Sequence, residues 1–232
     1  MAEVFVPLAI SLLLGIISLF SDRLVNRFEK YHEELMSLSA GILITIILMA
    51  FIGVIAGGAD IFGSIVYLYL AMGFVIFHTA EKYVYKHVPS SMMKHIRKEL
   101  NQMHLFGFAV DHIIMGMFLV MLWFLHSLTV LYILVVPFII HVVASAHPIR
   151  HLGMKLHELW TNITLALSIP FGSLVALFLL GHQEALYSVF ALITGTLLYI
   201  VVRDVTPKYR KGNIYWFLIG FLITAAVQVI LV

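Results

Sequence analysis

Every lysine and arginine of this chain falls in one of four loops between apolar runs, and that placement constrains the fold more than any other feature. A helix needs about 20 mostly apolar residues to cross the hydrocarbon core of a bilayer. Eight runs approach that length: Val4–Phe20, Leu38–Ala56, Ile61–His78, Leu105–Leu125, Leu128–Ala146, Thr161–Leu180, Ala185–Val202 and Ile214–Val232. Between the first and second lie Arg23, Arg27 and Lys30, and between the third and fourth Lys82, Lys86, Lys94, Arg97 and Lys98. Arg150 and Lys155 separate the fifth from the sixth, and Arg203, Lys208, Arg210 and Lys211 the seventh from the eighth. These are all 14 of the chain's Lys and Arg. Because such residues accumulate on the cytoplasmic side, the odd loops are expected inside and both termini outside. A miscount of one span would scatter the charges over both faces. The expected fold class is therefore all-α: a polytopic membrane protein, an eight-transmembrane-helix bundle with N-terminus and C-terminus both outside. Residues 1–232 read as a single transmembrane domain with a cytoplasmic loop at about 81–104. Only His126 and Ser127 separate the fourth run from the fifth, which predicts a tight hairpin.

Composition agrees. The chain is 62% hydrophobic and 11% charged, where a soluble domain carries about 25% charged residues. Cysteine is absent, which excludes disulfides and thiolate metal sites. The opening "MAEVFVPLAISLLLGII" has an acid, no basic stretch and no small-residue cleavage site, so it reads as a retained span rather than a signal peptide.

Against this background "FAVDHIIMGMFLVMLWFL" sets Asp111 beside His112 in an otherwise apolar run. A charged side chain at a bilayer centre costs about 2.5–3.5 kcal/mol on insertion scales, and such residues mark ion or proton pathways. A second ionisable residue, His141, stands in the fifth run. The gap between Asp111 and His141 suits two antiparallel helices joined by a short turn. Two readings stay open: the residues line an interior path, or they form a structural clamp across a helix interface.

Several segments, in their order, resemble the ZIP (zinc/iron permease) family. The second run begins "SLSAGILITIIL", similar to that family's Ala-Gly opening, and the third supplies Gly73, Phe74 and a terminal Glu81. The seventh and eighth resemble its Gly-Thr-x-x-Tyr, Asp-x-x-Pro and Gly-Phe segments at Gly195, Thr196, Tyr199, Asp204, Pro207, Gly220 and Phe221. The resemblance implies a metal path between spans four and five. Laid on Gly116, the family's His-Asn-x-x-(Asp/Glu)-Gly pattern gives Asp111 the His place, His112 the Asn place and Met115 the acid place. In span five His141 takes the first ligand place and Ser145 the Glu place. Residues four apart share a helix face, so each helix would aim two side chains at one ion. The sequence departs from the family at Met115 and Ser145, where acids are expected. It departs again at Val142, and in span two, where "ILMAFIG" replaces a His-x-x-Pro run. The implied metal ligands are Asp111, His112 and His141, with Met115 and Ser145 as weaker additions. Carboxylate and imidazole suit Zn²⁺ or another first-row divalent ion.

Just beyond span five, "HPIRHLGMKLHELW" gathers His147, His151, His157 and Glu158. These read either as a cytoplasmic exit site for the ion or, with Trp160, as headgroup anchors. The loop histidines His87, His95 and His104 read as part of a membrane-skimming helix drawn to anionic lipid, or as a metal-gathering loop. "GVIAG" (Gly53, Gly57) reads as a helix-packing motif. Pro137 and Pro170 are expected to kink spans five and six.

The function implied is a ZIP-like transporter of divalent metal ions, zinc or iron, in the cell membrane as a multi-pass protein and not an enzyme. Its partners would be the metal ion as substrate and the lipid bilayer. A homodimer is compatible with this, and nucleic acid has no place in it. The alternatives are a non-transporting relative, acting as metal sensor or partner subunit, and an intramembrane metal-dependent hydrolase. The hydrolase would want three good ligands and an open position.

Overall fold

The computed structural model describes residues 3, 5–27, 29–87, 93–125, 128–151, 158–205 and 212–231, and within them the side chains other than those of 22–27, 29, 32, 84, 85, 87, 93–104, 129, 145–151, 158, 204, 205 and 231. Helix α1 spans Phe5–Arg27, and a single 3₁₀ turn, Glu29–Tyr31, leads into α2, His32–Thr45. A π-helical segment, Ile46–Phe51, joins α2 to α3, Ile52–Phe62. Then come α4 (Ile65–His87), α5 (Met93–Leu125), α6 (Leu128–His151), α7 (Glu158–Leu179) and α8 (Gln183–Ile200). A second π segment, Val201–Val205, ends α8, and α9 spans Ile214–Leu231. No strand occurs among the described residues. Helix is what these runs should form, since in hydrocarbon every backbone N–H and C=O must be satisfied within the segment.

Five helical stretches are long and apolar enough to cross a membrane: Glu33–Phe62, Ile65–Tyr83, Leu105–Leu125, Leu159–Leu179 and Gln183–Arg203. Shorter apolar helices run over Phe5–Ser21, Val130–Ala144 and Ile214–Ile230. Every apolar run of the sequence is thus helical. The third run was expected to begin at Ile61, yet its helix begins at Ile65. Gly63, at φ 79°, stops α3, and its N–H reaches back to Ala59 O at 2.8 Å. That left-handed conformation favours glycine. The basic stretch before span four is likewise helical from Met93, continuous with α5 rather than a separate helix. The side chains of His87, His95 and His104 lie outside the described residues.

Lipid tails are as apolar as leucine, so burial alone gives helices in a bilayer little reason to associate. Close backbone approach and interhelical hydrogen bonds take over. Three helix pairs here meet through glycines facing each other's carbonyls. Gly116 of α5 lies on Ile169 O while Gly172 of α7 lies on Ile113 O. Gly73 of α4 and Gly195 of α8 face Leu192 O and Leu70 O in the same way, as do Gly41 of α2 and Gly220 of α9 with Phe217 O and Leu38 O. None of these positions has room for a Cβ. Two of the pairs are also bonded: Ser173 Oγ donates to Gly116 O at 2.8 Å, and Thr196 Oγ1 to Gly73 O at 3.2 Å.

Gly53 and Gly57 behave differently, which corrects the packing reading of "GVIAG". An added Cβ at either would meet nothing within 4 Å. Helix α5 is the hub of the bundle, with 78% of an 18-residue stretch within Leu105–Leu125 buried against 22% of one within Ile65–Tyr83 in α4. At its centre Phe51, Phe118, Phe138 and Phe190 form one aromatic knot. The Phe118 ring lies 4.6 Å from Phe51 and 6.0 Å from Phe138. Large apolar side chains such as Phe178 (79% exposed) and Ile230 (81%) face outward, where a soluble protein would place polar groups.

Candidate functional site

Helices α2, α5 and α6 converge one to two turns from that knot. His141 lies three residues beyond Phe138 on α6, and Asp111 lies seven before Phe118 on α5, so each pair shares a helix face. The two ionisable residues meet. His141 Nε2 lies 2.7 Å from Asp111 Oδ2, with Asp111 3% and His141 1% exposed. The carboxylate accepts, so Nε2 is the donor. On the opposite edge of the ring, Nδ1 lies 2.9 Å from Ser39 Oγ of α2. One imidazole thus bridges three helices, with a polar partner at each nitrogen.

His112 is held separately. Its Nδ1 lies 2.7 Å from the carbonyl of Phe108, one turn back. A carbonyl only accepts, so Nδ1 carries the hydrogen and the neutral ring presents a bare lone pair at Nε2. That atom is buried and has no hydrogen-bond partner among the described residues; the same is true of Asp111 Oδ1. A backbone carbonyl fixing the far nitrogen is the arrangement common in metal-ligating histidines. His112 also lies within electrostatic range of Asp111 and His141.

The other predicted residues divide by position. Met115 is fully buried on α5, one turn beyond Asp111. Ser145 lies on α6 one turn beyond His141, and its side chain is outside the described residues. Helix α6 runs through Pro148 to His151, which sets His147 and His151 one turn apart. Their side chains, that of Glu158 at the start of α7 and the whole of His157 lie outside the described residues. Among those described, no group of three or more His, Asp or Glu is arranged to hold a metal ion.

Ser39, His141 and Asp111 also form a Ser–His–Asp chain, which invites comparison with a hydrolytic triad. The ring is reversed relative to that arrangement, with the acid at Nε2 and the serine at Nδ1. Ser39 is 2% exposed, and neither described cavity is lined by any of the three. No substrate carbonyl can approach Oγ in this state.

Two polar groups escaped the sequence reading. Ser39 lies 102 positions from His141, and only the small residues after it, Ala40 and Gly41, hint at a close helix approach. The second is a cluster around Glu81, which the sequence marked only as a motif position. Tyr199 donates to Glu81 Oε2 at 2.6 Å, and Arg203 forms an ion pair with the same oxygen. Phe74, Phe77 and His78 surround the Tyr199 ring at 5.3, 5.7 and 5.3 Å.

Fold and site together define a class: an all-helical bundle of the multi-pass membrane type, built around a buried carboxylate–imidazole pair. Beyond that class, no protein-family model matches the sequence and no curated protein matches it significantly.

Proposed function

We propose that the chain is a secondary transporter of divalent metal ions, zinc or iron, whose path runs between α5 and α6 past Asp111, His112 and His141. In this reading all eight apolar helices cross the cell membrane, with both termini outside, as the Lys and Arg placement favours. The metal ion is cargo, and no chemical step is performed on it. One observation carries the reading. Asp111 and the neutral His112 each keep a buried ligand atom with no hydrogen-bond partner among the described residues, beside a histidine from another helix. A carboxylate oxygen and an imidazole lone pair are the donors a first-row divalent ion takes. The ZIP-like order of motifs supports the same placement. The aromatic knot of Phe51, Phe118, Phe138 and Phe190 closes the path toward the α5–α6 hairpin, so passage requires those rings to part.

Purified protein in liposomes, loaded with a metal-sensitive dye, tests this directly. Zinc or iron(II) influx should fall to the level of empty liposomes when Asp111 and His141 are both changed to alanine. Influx unchanged in that double variant would remove the pair from the mechanism.

A specific observation favours a second reading, a ZIP-like relative that does not transport. Both nitrogens of His141 are already engaged within the protein, and Met115 stands where an acid would complete the site. Met115→Glu with Ser145→Glu should then create influx that the unaltered protein lacks. No gain in the double variant would count against it.

A further inference from the structure

The structure assigns a second site: an intramembrane slot for one acyl chain of a phospholipid, with the Gln228 amide N–H donating to the ester carbonyl. A cavity of about 570 Å³ opens between α3, α5, α6, α8, α9 and the first π segment, a volume in the range of small-molecule sites. Phe118, Leu122 and Leu125 line it from α5, and Ala50, Gly53 and Gly57 line the facing wall. Both sets recur at helical spacing and share one face. The α5 wall alone extends about 10 Å, at 1.5 Å per residue.

Three observations point to the occupant. First, the slot is kept open. Gly53 and Gly57 line it, and a Cβ added at either would point into open space, unlike the glycines that clasp helices elsewhere. The π segment that carries Met49 and Ala50 into the wall is of the kind frequent at functional sites. Second, the lining is apolar apart from Gln228 and Tyr187. Gln228 is 4% exposed, and its Nε2 has no hydrogen-bond partner among the described residues. A buried donor left unmet is unfavourable, because it has given up water for nothing. An acceptor brought by a ligand removes that cost.

Third, the polar and apolar parts are ordered by depth. Gln228 lies near the end of α9, level with the Leu125 end of α5 and the first turn of α8, at the bundle end away from the Lys and Arg loops. Phe118 and Met49 lie deeper. A glycerol ester sits at the headgroup boundary with its chain running toward the midplane, which matches this order. Met49, Leu125 and Val229, at 39%, 39% and 72% exposed, mark where the slot opens sideways to lipid. Phe118 belongs both to the slot wall and to the aromatic knot, and the knot separates the slot from the Asp111 site.

The test uses the full chain in phosphatidylcholine nanodiscs that contain a phosphatidylcholine with a diazirine midway along one acyl chain. After irradiation, adducts should concentrate on the peptide covering Phe118–Leu122, which bulk lipid cannot reach because Phe118 is 1% and Leu122 2% exposed. Gly53→Leu, which fills the slot from an open position, should lower those adducts about tenfold, the effect of ~1.4 kcal/mol. Gln228→Leu should lower them about fivefold, the loss of one hydrogen bond. Labelling around the outward Phe178 serves as the folding control and should not change. Labelling of the buried wall no higher than background in the unaltered protein overturns the proposal, whether or not the variants fold. Preferential labelling by a diazirine free fatty acid, or crosslinks between two copies through Met49 and Val229, would overturn it equally.

Discussion

Asp111 and Glu81 are both carboxylates buried to 3% exposure in apolar helices, yet they are held in opposite ways. Glu81 Oε2 faces a guanidinium, a cation that stays charged, and it also accepts from Tyr199. Asp111 meets, among the described residues, only an imidazole, a side-chain type whose charge is conditional, and its second oxygen is unmet there. A carboxylate with a permanent countercharge fastens α4 to the end of α8. A carboxylate with a switchable partner and a spare oxygen can exchange that partner for an ion. The difference shows how burial alone does not separate a structural acid from a functional one. What separates them is whether every lone pair already has a use.

The comparison breaks most visibly at the clasp. Arg203→Met takes the cation from the buried Glu81 carboxylate and leaves it the Tyr199 hydrogen bond. Losing one partner of a buried ion pair costs on the order of 3–5 kcal/mol, so unfolding in detergent should move by that amount. A loss below about 1 kcal/mol would place Glu81 with the surface pairs and erase the contrast.

Asp111→Asn should reverse the balance of effects. The amide oxygen still accepts from His141 Nε2, so stability should change by only about 1 kcal/mol. Metal influx should nevertheless fall at least about tenfold, as ~1.4 kcal/mol of lost ion binding requires. Stability lost with influx intact would make Asp111 a second clasp.

How far the sequence shows this contrast depends on range. The helices are legible because each apolar run needs only its own residues to satisfy its backbone. Asp111 and His141 are legible as partners because a two-residue hairpin sets their helices side by side. Ser39 is not, since its contact to His141 joins residues 102 positions apart and no local spacing encodes it. The two π segments leave no pattern in "ILMAFIG" or "VVRDV". Gly53 and Gly57 were misread for a related reason. A small residue every fourth position fits both a helix clasp and an open slot, and only the neighbouring wall decides between them.

His112→Phe sharpens the distinction from within the site. Phenylalanine fits the ring space but removes both nitrogens. The Phe108 carbonyl keeps its helical hydrogen bond, while the buried unmet Nε2 disappears. Replacing unsatisfied polar groups by apolar ones of similar shape is nearly neutral or stabilising. Stability should therefore hold or rise by about 1 kcal/mol while influx falls. A destabilised variant that transports normally would make His112 a packing residue.

The smallest effect belongs to Ser39→Ala. The hydroxyl bonds His141 Nδ1 at 2.9 Å, on the ring edge away from Asp111. Its removal leaves the Nε2–Asp111 bond intact and unmasks one nitrogen in a buried place, at about 1 kcal/mol of stability. If the pair has to open for an ion, Ser39 is one of the two holds on the imidazole. Its loss should then raise influx slightly or leave it level, even as unfolding becomes easier. Influx that falls as far as in Asp111→Asn would mean instead that the three residues act as one rigid chain. The spare oxygen of Asp111 would then be incidental, and the contrast with Glu81 would reduce to a difference in countercharge.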